Sequence, residues 1–137
     1  MKNQKQNNSQ KNWHLFDARN KILGRLATQV AKILIGKDKV DYAPYLDMGD
    51  FVVIINAKEI KLTGKKENQK IYYHHSGFPG GLKSKTVAET RAQRPEQLIR
   101  RAVIGMMPRN RLASQMIKKL FVFPGSEHPY QDKLKQN

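Results

Sequence analysis

The chain has 137 residues, of which 26 are Lys or Arg and 11 are Asp or Glu, so its formal net charge is +15. A protein with that excess repels itself unless an anionic partner neutralises it, and nucleic acid is the abundant cellular polyanion. The sequence has no apolar run near the roughly 18 residues of a membrane-spanning helix and no apolar N-terminal segment typical of a signal peptide. Cysteine is absent, which excludes disulfides and thiolate metal sites and fits a reducing compartment.

The composition divides the chain into three parts. Residues 1–12 contain mainly Asn, Gln and Lys, and we expect a disordered basic arm there. The segment has no Arg and no amphipathic stripe, so an organellar targeting role is disfavoured. Residues 13–129 hold the apolar residues of a single folded domain. Residues 130–137 are expected to form a polar C-terminal tail on the surface.

The first half of the chain predicts a strand, a helix and a second strand. Residues 13–18 are rich in large apolar side chains and predict a strand that ends in a turn. A helix follows, with Gly36 where a left-handed helix cap is expected. Residues 51–55 form a continuous apolar run, which is typical of a parallel strand buried on both faces and favours an α/β fold. The helix is indicated by apolar residues that share one face, namely Leu26, Val30, Ile33 and Leu34.

The middle of the chain is less regular. Residues 58–63 and 71–73 are further strand candidates, separated by a turn at residues 64–66. Residues 74–85 contain three Gly and one Pro, which predicts a loop. Thr86 and Glu89 then have the spacing of a capping box at the start of a short helix.

The last third predicts two helices and a strand. Pro95 opens the first helix and Pro108 ends it. A shorter amphipathic helix covers residues 112–117, and a strand follows at residues 120–123. The apolar stripe of the first helix contains Leu98, Ile99, Ala102, Val103 and Met106.

The cations are unevenly distributed. Between Gln97 and Ser126 there is no acidic residue, whereas solvated helix faces normally mix both signs. Arg109 and Arg111 follow Pro108, so they lie in a loop where side chains can converge on a phosphate. The six cations of this stretch are Arg100, Arg101, Arg109, Arg111, Lys118 and Lys119.

The Gly-rich loop nearly matches a nucleotide-binding P-loop, but it departs where the motif is most demanding. Gly77 and Lys83-Ser84 have the required spacing, yet Leu82 replaces the second Gly. Pro79 also removes one backbone donor from the phosphate cradle. The loop therefore favours close approach to an RNA backbone over nucleotide hydrolysis.

Candidate metal and acid–base residues are few. His74 and His75 would point to opposite faces of a strand, so they cannot chelate one metal in the usual way, although either can contact phosphate or stack on a base. As ordinary loop residues they would be equally consistent with the spacing. Asp47 and Asp50 flank Gly49, and acids beside a strand more often cap a turn or pair with Lys than catalyse. We expect no metal site and no catalysis.

Several stretches of the sequence are similar to the bacterial form of the large-ribosomal-subunit protein thirteen family. They occur in the family's order and cover nearly everything from residue 13 to residue 129, and residues 102–119 are the most specific. Ala113-Ser114 replaces the family's usual Gly-Arg, and Phe121 and Phe123-Pro124 replace Lys and Tyr-Ala. The matching stretches are LGRLAT (23–28), DMGDFVVIINA (47–57), LTGKK (62–66), YYHHSGFPGGLK (72–83) and AVIGMMPRNRLASQMIKKLFVFPGSEHP (102–129).

The resemblance implies a three-layer α/β/α domain around a mostly parallel sheet of about four strands, with no cofactor and no enzymatic activity. It also implies binding to large-subunit ribosomal RNA and a role early in subunit assembly. We expect contact with neighbouring ribosomal proteins in a cytoplasmic ribosome, with an organellar ribosome as the less favoured alternative. A free-standing RNA-binding regulator of messenger RNA is the alternative that charge and fold leave open. The expected RNA-binding residues are Arg25, Lys37, Lys39, Lys65, Lys66, His74, His75, Lys83, Lys85, Arg100, Arg101, Arg109, Arg111, Lys118 and Lys119.

Overall fold

The computed structural model describes residues 11–135, and its strands form two separate sheets. The predicted arm at residues 1–12 therefore lies outside the described residues except for Lys11 and Asn12. The strands are β1 (Trp13–Asp17), β2 (Phe51–Ile55), β3 (Ile71–His75), β4 (Leu82–Thr86) and β5 (Leu120–Val122). The helices are α1 (Leu23–Ile35), α2 (Lys66–Gln69), α3 (Val87–Gln93), α4 (Glu96–Met106), α5 (Arg111–Met116) and α6 (Gln131–Leu134).

The larger sheet is parallel and has β2 at its centre, between β1 and β5. Val52, Val53 and Ile54 of β2 are all 0% exposed, so this strand is buried on both faces. The predictions of an α/β fold and of a doubly buried parallel strand are confirmed. The parallel sheet has three strands, whereas about four were expected, because β3 and β4 pair with each other instead.

One face of the sheet is covered by α1 and α4. The buried stripe of α1 packs in one cluster with Val52 and Ile54 of β2 and with Ile99 and Val103 of α4. Gly36 ends α1 with φ +83°, as the sequence predicted, and this conformation favours glycine. The stripe of α4 differs at one position: Met106 is exposed and Met107, just beyond the helix, is buried.

The other face of the sheet carries an aromatic cluster. Trp13 stacks on Phe51 at 4.4 Å between ring centroids and on Tyr130 at 5.2 Å. Alternation along the strands separates these rings from the cluster under α1. The helix α6 contacts β1 from this side and forms a thin third layer. The predicted polar tail thus begins with a packed ring, and residues 136–137 of that tail lie outside the described residues.

The smaller sheet is an antiparallel hairpin of β3 and β4. This part of the chain differs from two sequence predictions. The loop predicted at residues 74–85 is confined to residues 76–81, because both of its ends are strand. Residues 58–63 form a 3-10 turn at Ala57–Glu59 and a single bridge from Lys61 to Ile22 rather than a strand. The predicted capping box is confirmed, since the Thr86 hydroxyl accepts from the Glu89 N–H and Glu89 accepts from the Thr86 N–H.

Candidate nucleic-acid interface

A cationic groove, which we call the hairpin groove, lies between the β3–β4 hairpin and helices α3 and α4. The antiparallel register pairs Tyr72 with Lys85 and His74 with Lys83, and paired residues of antiparallel strands project from the same face. All four side chains line a groove of about 330 Å³. The helices complete its other wall with polar and basic side chains, namely Thr90, Gln93, Arg94, Gln97 and Arg101.

The capping box fixes the hairpin relative to α3, because Thr86 is both the last residue of β4 and the N-cap of the helix. Arg91 of α3 fastens the helix to the rest of the domain: its guanidinium donates to the carbonyl oxygens of Lys58 and Ile60 at 3.0 and 2.8 Å. The same guanidinium pairs with Glu67 at 2.8 Å. Because these contacts attach the hairpin to α3 and α3 to the rest of the domain, they hold the walls of the groove in place.

Tyr72 lines the groove, and two cations lie over its ring. The Arg101 guanidinium lies 4.7 Å from the centroid of its ring, and the Lys70 ammonium lies 5.4 Å from it. Burial raises the pKa of the Tyr72 hydroxyl, and the nearby Arg101 charge only partly opposes that effect. A tyrosine hydroxyl is already neutral at physiological pH, so Tyr72 can donate a hydrogen bond to an anionic ligand.

A second groove shares Arg101 with the first. It lies between the start of α1 and the middle of α4, and Lys66 and Lys70 contribute its other charges. Gly24 and Gly105 line it, and a Cβ at either position would meet nothing within 4 Å, so the space over them is open. Arg25, adjacent to Gly24, is exposed.

A third set of cations surrounds the turn between α4 and α5. Asn110 caps α5 by accepting from the Ala113 N–H at 2.9 Å, which orders the turn. Arg109 and Arg111 flank this cap and line a further groove. Arg100 lies on α4 near Arg101. All three arginines, and Lys118 beyond α5, are exposed.

The cations of these grooves are left without acidic partners. Within residues 11–135, Lys83, Arg94, Arg101, Arg109 and Arg111 form no ion pair with a carboxylate. Among the described residues, none that lines the hairpin groove is acidic. Because like charges held together without a counter-charge repel each other, this arrangement favours an anionic ligand.

Two of the expected RNA-binding lysines, Lys119 and Lys39, have carboxylate partners within the protein. Lys119 is only 5% exposed. Its ammonium group donates to Asp47 at 2.5 Å and to the Gly49 carbonyl oxygen at 2.7 Å. Lys39 pairs with Asp50 at 2.5 Å. These contacts give both lysines a structural role, and Lys119 is buried whereas Lys39 remains partly exposed.

We call Lys39, Asp47, Asp50 and Lys119 the paired region, and its two carboxylates are held in their charged form. Burial by itself would raise the pKa of Asp47, but hydrogen bonds from Lys119 and Lys11 outweigh it and leave the pKa lowered. The pKa of Asp50 is lowered in the same way, since bonds from Lys39 and His14 outweigh its burial. Burial lowers the pKa of Lys119 more than Asp47 raises it.

The remaining expected residues are two exposed lysines that lie apart from the grooves and the two histidines of the hairpin. Lys37, beyond the cap of α1, and Lys65, in the turn before α2, are exposed. His74 and His75 point to opposite faces, as predicted: His74 lines the groove, and His75 accepts from the Gly77 N–H through Nδ1 at 2.9 Å. Within residues 11–135 no three His, Asp or Glu side chains group as metal ligands.

The resemblance of the Gly-rich loop to a P-loop ends with its surroundings. A P-loop joins a strand to a helix whose N-terminus faces the phosphates. Residues 76–81 instead join two antiparallel strands, and Lys83 and Ser84 belong to the second strand. The loop therefore lacks the helix terminus that a nucleotide site requires.

Sequence reasoning missed Arg94, Lys70 and Tyr72 as members of the site. Recognition of β4 would have found part of it, because Tyr72, His74, Lys83 and Lys85 alternate with period two on paired strands. Arg94 carries no comparable signal, since its place in the groove depends on how α3 and α4 pack.

The fold and these grooves define an α/β protein with a charged surface suited to a polyanion, and similarity to known proteins narrows the class. The chain matches the family model described as Ribosomal protein L13 over residues 11–129. It is 54% identical over 121 residues to the large ribosomal subunit protein uL13 of Geobacter sulfurreducens, covering 88% of this chain and 85% of that one. It is 57% identical over 119 residues to the uL13 of Trichlorobacter lovleyi, with coverages of 87% and 84%.

A third relative extends further along the chain. The uL13 of Geobacillus sp. strain WCH70 is 54% identical over 127 residues, which cover 93% of this chain and 88% of that one. The chain belongs to the ribosomal protein L13 family, and its relatives are of bacterial type. The family consists of structural proteins, so the chain is not an enzyme. No helix within residues 11–135 is long and apolar enough to cross a membrane.

Proposed function

We propose that this chain is a structural constituent of the large ribosomal subunit that binds large-subunit ribosomal RNA and supports early assembly of the subunit. The observation that carries the proposal is the hairpin groove, where Lys83, Lys85, Arg94 and Arg101 converge without a carboxylate. Family membership supplies the ribosomal context.

The mechanism is phosphate neutralisation and positioning. Double-stranded RNA is recognised mainly through its shape and backbone, and cations that line grooves at several angles can follow a folded RNA chain. Arg101 lines the hairpin groove, the second groove and a further groove that it shares with Arg100 on α4, so it is the centre of this surface. The proposed contacts come from Arg25, Lys37, Lys65, Lys66, Lys70, His74, Lys83, Lys85, Arg94, Arg100, Arg101, Arg109, Arg111 and Lys118.

Assembly follows from the same physics. A protein whose interior is complete in one domain can bind RNA before other proteins arrive, and neutralised phosphates allow RNA segments to approach each other. The faces outside the cationic grooves are then open to neighbouring large-subunit proteins. The ribosome of the bacterial cytoplasm is the proposed location.

The salt dependence of RNA affinity tests the mechanism. If about 6 to 10 phosphates are contacted, the affinity for large-subunit ribosomal RNA should fall by ~10³ or more between 50 and 200 mM salt, by analogy with duplex DNA. Filter binding at several salt concentrations measures this slope. A flat slope would exclude phosphate neutralisation as the source of affinity.

Sedimentation separates the ribosomal proposal from a free-standing regulator of messenger RNA. A tagged chain expressed in its host should travel with the large subunit through a sucrose gradient. A regulator would remain in the light fractions. Alternatively, when low magnesium separates large subunits from messenger RNA, a regulator would sediment with the messenger RNA and not with the large subunits. Recovery of the chain only in those fractions would contradict the proposal.

A further inference from the structure

The tip of the β3–β4 hairpin is a rigid loop that presents one aromatic ring. The Gly81 N–H donates to the Phe78 carbonyl oxygen at 2.9 Å, which closes a turn with Pro79 and Gly80 at its centre. Gly80 has φ +69°, and Pro followed by a residue of positive φ is the pattern of a type II turn. The turn fixes the backbone of Phe78.

Two further residues determine the shape of this loop. A Cβ on Gly81 would lie 2.0 Å from the Ser76 hydroxyl and 2.8 Å from the Phe78 carbonyl oxygen, so only glycine fits there. Gly77 has φ +86°, and its N–H donates to His75 Nδ1. The loop is thus held by local contacts, and none of them uses the Phe78 ring.

The Phe78 side chain is held in solvent. It is 74% exposed, and within residues 11–135 its ring makes no aromatic or cation–π contact. Full burial of a Phe side chain contributes about 1.5–3 kcal/mol, and the folded chain gains little of it. An apolar ring that a rigid turn holds away from the core is available to a ligand.

The hairpin that carries this ring at its tip also lines the cationic groove. Lys83 is the second residue of β4, so its backbone lies about two residue rises, ~7 Å, from Gly81 at the end of the loop. Its side chain and that of His74 line the groove. A ligand that meets both features has a flat apolar part and an anionic part, which are the base and the phosphate of a nucleotide.

We propose that Phe78 is a stacking platform for an unpaired base of the RNA whose phosphates occupy the hairpin groove. The proposal rests on the proposed function and names the RNA feature that this site recognises: a loop or bulge nucleotide rather than a continuous duplex. Unstacked RNA bases are commonly held on aromatic side chains, and each contributes about 1–3 kcal/mol.

The neighbours of Phe78 favour a base over a protein partner. Gly77, Pro79 and Gly80 flank it in the chain and carry no long side chain that could pack around an apolar group from another protein. The other exposed apolar side chains of the hairpin, Ile71, Tyr73 and Leu82, alternate with the groove residues and so project from the opposite face of the strands. Protein interfaces concentrate their energy in pockets ringed by further contacts. A single exposed ring at the tip of a hairpin that carries a cationic groove suits a nucleobase.

Chemical probing of large-subunit ribosomal RNA tests the stacking. The full chain should protect at least one unpaired base from modification, and Phe78→Ala should lose that protection while retaining protection of the backbone. Its RNA affinity should fall by about 5- to 150-fold, the equivalent of one stacked base. Phe78→Trp should retain wild-type affinity, and Phe78→Leu, which is apolar without a ring, should behave as Phe78→Ala. Tyr45→Ala, which removes another exposed ring (79%), should change nothing.

The outcomes separate the two proposals. If Lys83→Gln, Lys85→Gln and Arg94→Gln together leave RNA affinity unchanged, the proposed function fails whatever Phe78 does. If that variant binds weakly but Phe78→Ala or Phe78→Leu binds like wild type, only the stacking proposal is overturned. Loss of Phe78→Ala from large subunits with its RNA affinity intact would indicate a protein contact, and it too would overturn stacking.

Discussion

Two regions of the molecule use the same charged residues in opposite ways. Near the start of β2, Lys119 and Lys39 face Asp47 and Asp50, and every one of these charges has a partner within 3.1 Å. In the hairpin groove, Lys83, Arg94 and Arg101 converge with no carboxylate among the lining residues. Both regions are rich in cations, so a net charge of +15 does not distinguish them.

The difference lies in where the acids are placed. Asp47 and Asp50 both lie in the short segment between α1 and β2, where they neutralise cations that packing has drawn into the domain. A buried charge without a partner is strongly unfavourable, so this region serves the fold. An exposed cluster of one sign gains nothing for the fold and is stabilised only by a ligand.

The largest effect on stability is expected at Lys119. Lys119→Met keeps the length of the side chain but leaves the Gly49 carbonyl oxygen without its donor and Asp47 with Lys11 as its remaining partner. The free energy of unfolding should fall by about 3 kcal/mol, the lower end of the range for removing one partner of a buried pair, because Lys11 still pairs with Asp47. Urea denaturation with an unchanged slope measures the loss. RNA affinity of the folded variant should remain that of wild type.

The adjacent Lys118 is the matched control, because it is exposed and forms no ion pair within the described residues. Lys118→Met should change the free energy of unfolding by about 0.5 kcal/mol at most and should weaken RNA binding. If the two neighbouring lysines behaved alike in both measurements, the division between a structural and a ligand-binding region would be wrong.

The next effect concerns RNA binding. Lys83→Gln, Lys85→Gln and Arg94→Gln together remove three cations from the hairpin groove. Each neutralised phosphate contributes on the order of 1 kcal/mol at 0.15 M salt through counterion release, so affinity should fall by roughly 10²-fold. The salt slope should decrease by about one for each phosphate that the variant no longer neutralises. Filter binding measures both, and the free energy of unfolding should stay unchanged.

A control with equal charge change tests whether position matters. Lys58→Gln, Lys61→Gln and Lys135→Gln also remove three exposed lysines, none of which lines the hairpin groove or belongs to the proposed RNA contacts. This variant should lose clearly less affinity than the groove variant. Equal losses would mean that net charge alone attracts the RNA and that the groove has no particular role.

A smaller loss is expected at the turn between α4 and α5. Arg109→Ala with Arg111→Ala should weaken RNA binding by roughly 30-fold, the equivalent of two neutralised phosphates. The melting temperature should hardly change, because both side chains are exposed and the Asn110 cap remains. Differential scanning calorimetry beside the binding titration checks this. A sharp drop in melting temperature with unchanged binding would make these arginines structural.

The sequence predicted much of the fold but not which lysines form its internal ion pairs. Phe51–Ile55 and the Thr86–Glu89 box were recognised because apolar runs and capping patterns are local signals. Lys118 and Lys119 are chemically identical in the sequence. Which one turns inward depends on Asp47, seventy-two positions away, so no local pattern could show it.

The hairpin escaped prediction for a related reason. A two-stranded sheet with one cationic face has no apolar alternation, and the three glycines of its tip dominate the local composition. The pairing of His74 with Lys83 is a contact between strands, and the loop prediction concealed it. Family resemblance supplied the fold class that periodicity alone left incomplete, but it did not locate the groove.

The last prediction concerns pH and only the paired region. Because the folded pKa of Asp50 lies below its unfolded value of about 3.9, its contribution to stability is complete above that pH and is lost as the pH falls through the folded pKa. Asp50→Asn cannot titrate, so its free energy of unfolding should be lower than wild type at neutral pH and should decline less steeply below about pH 4. Urea denaturation at stepped pH measures both curves. Parallel acid limbs for the two proteins would show that the Asp50 pairs with His14 and Lys39 contribute nothing to stability.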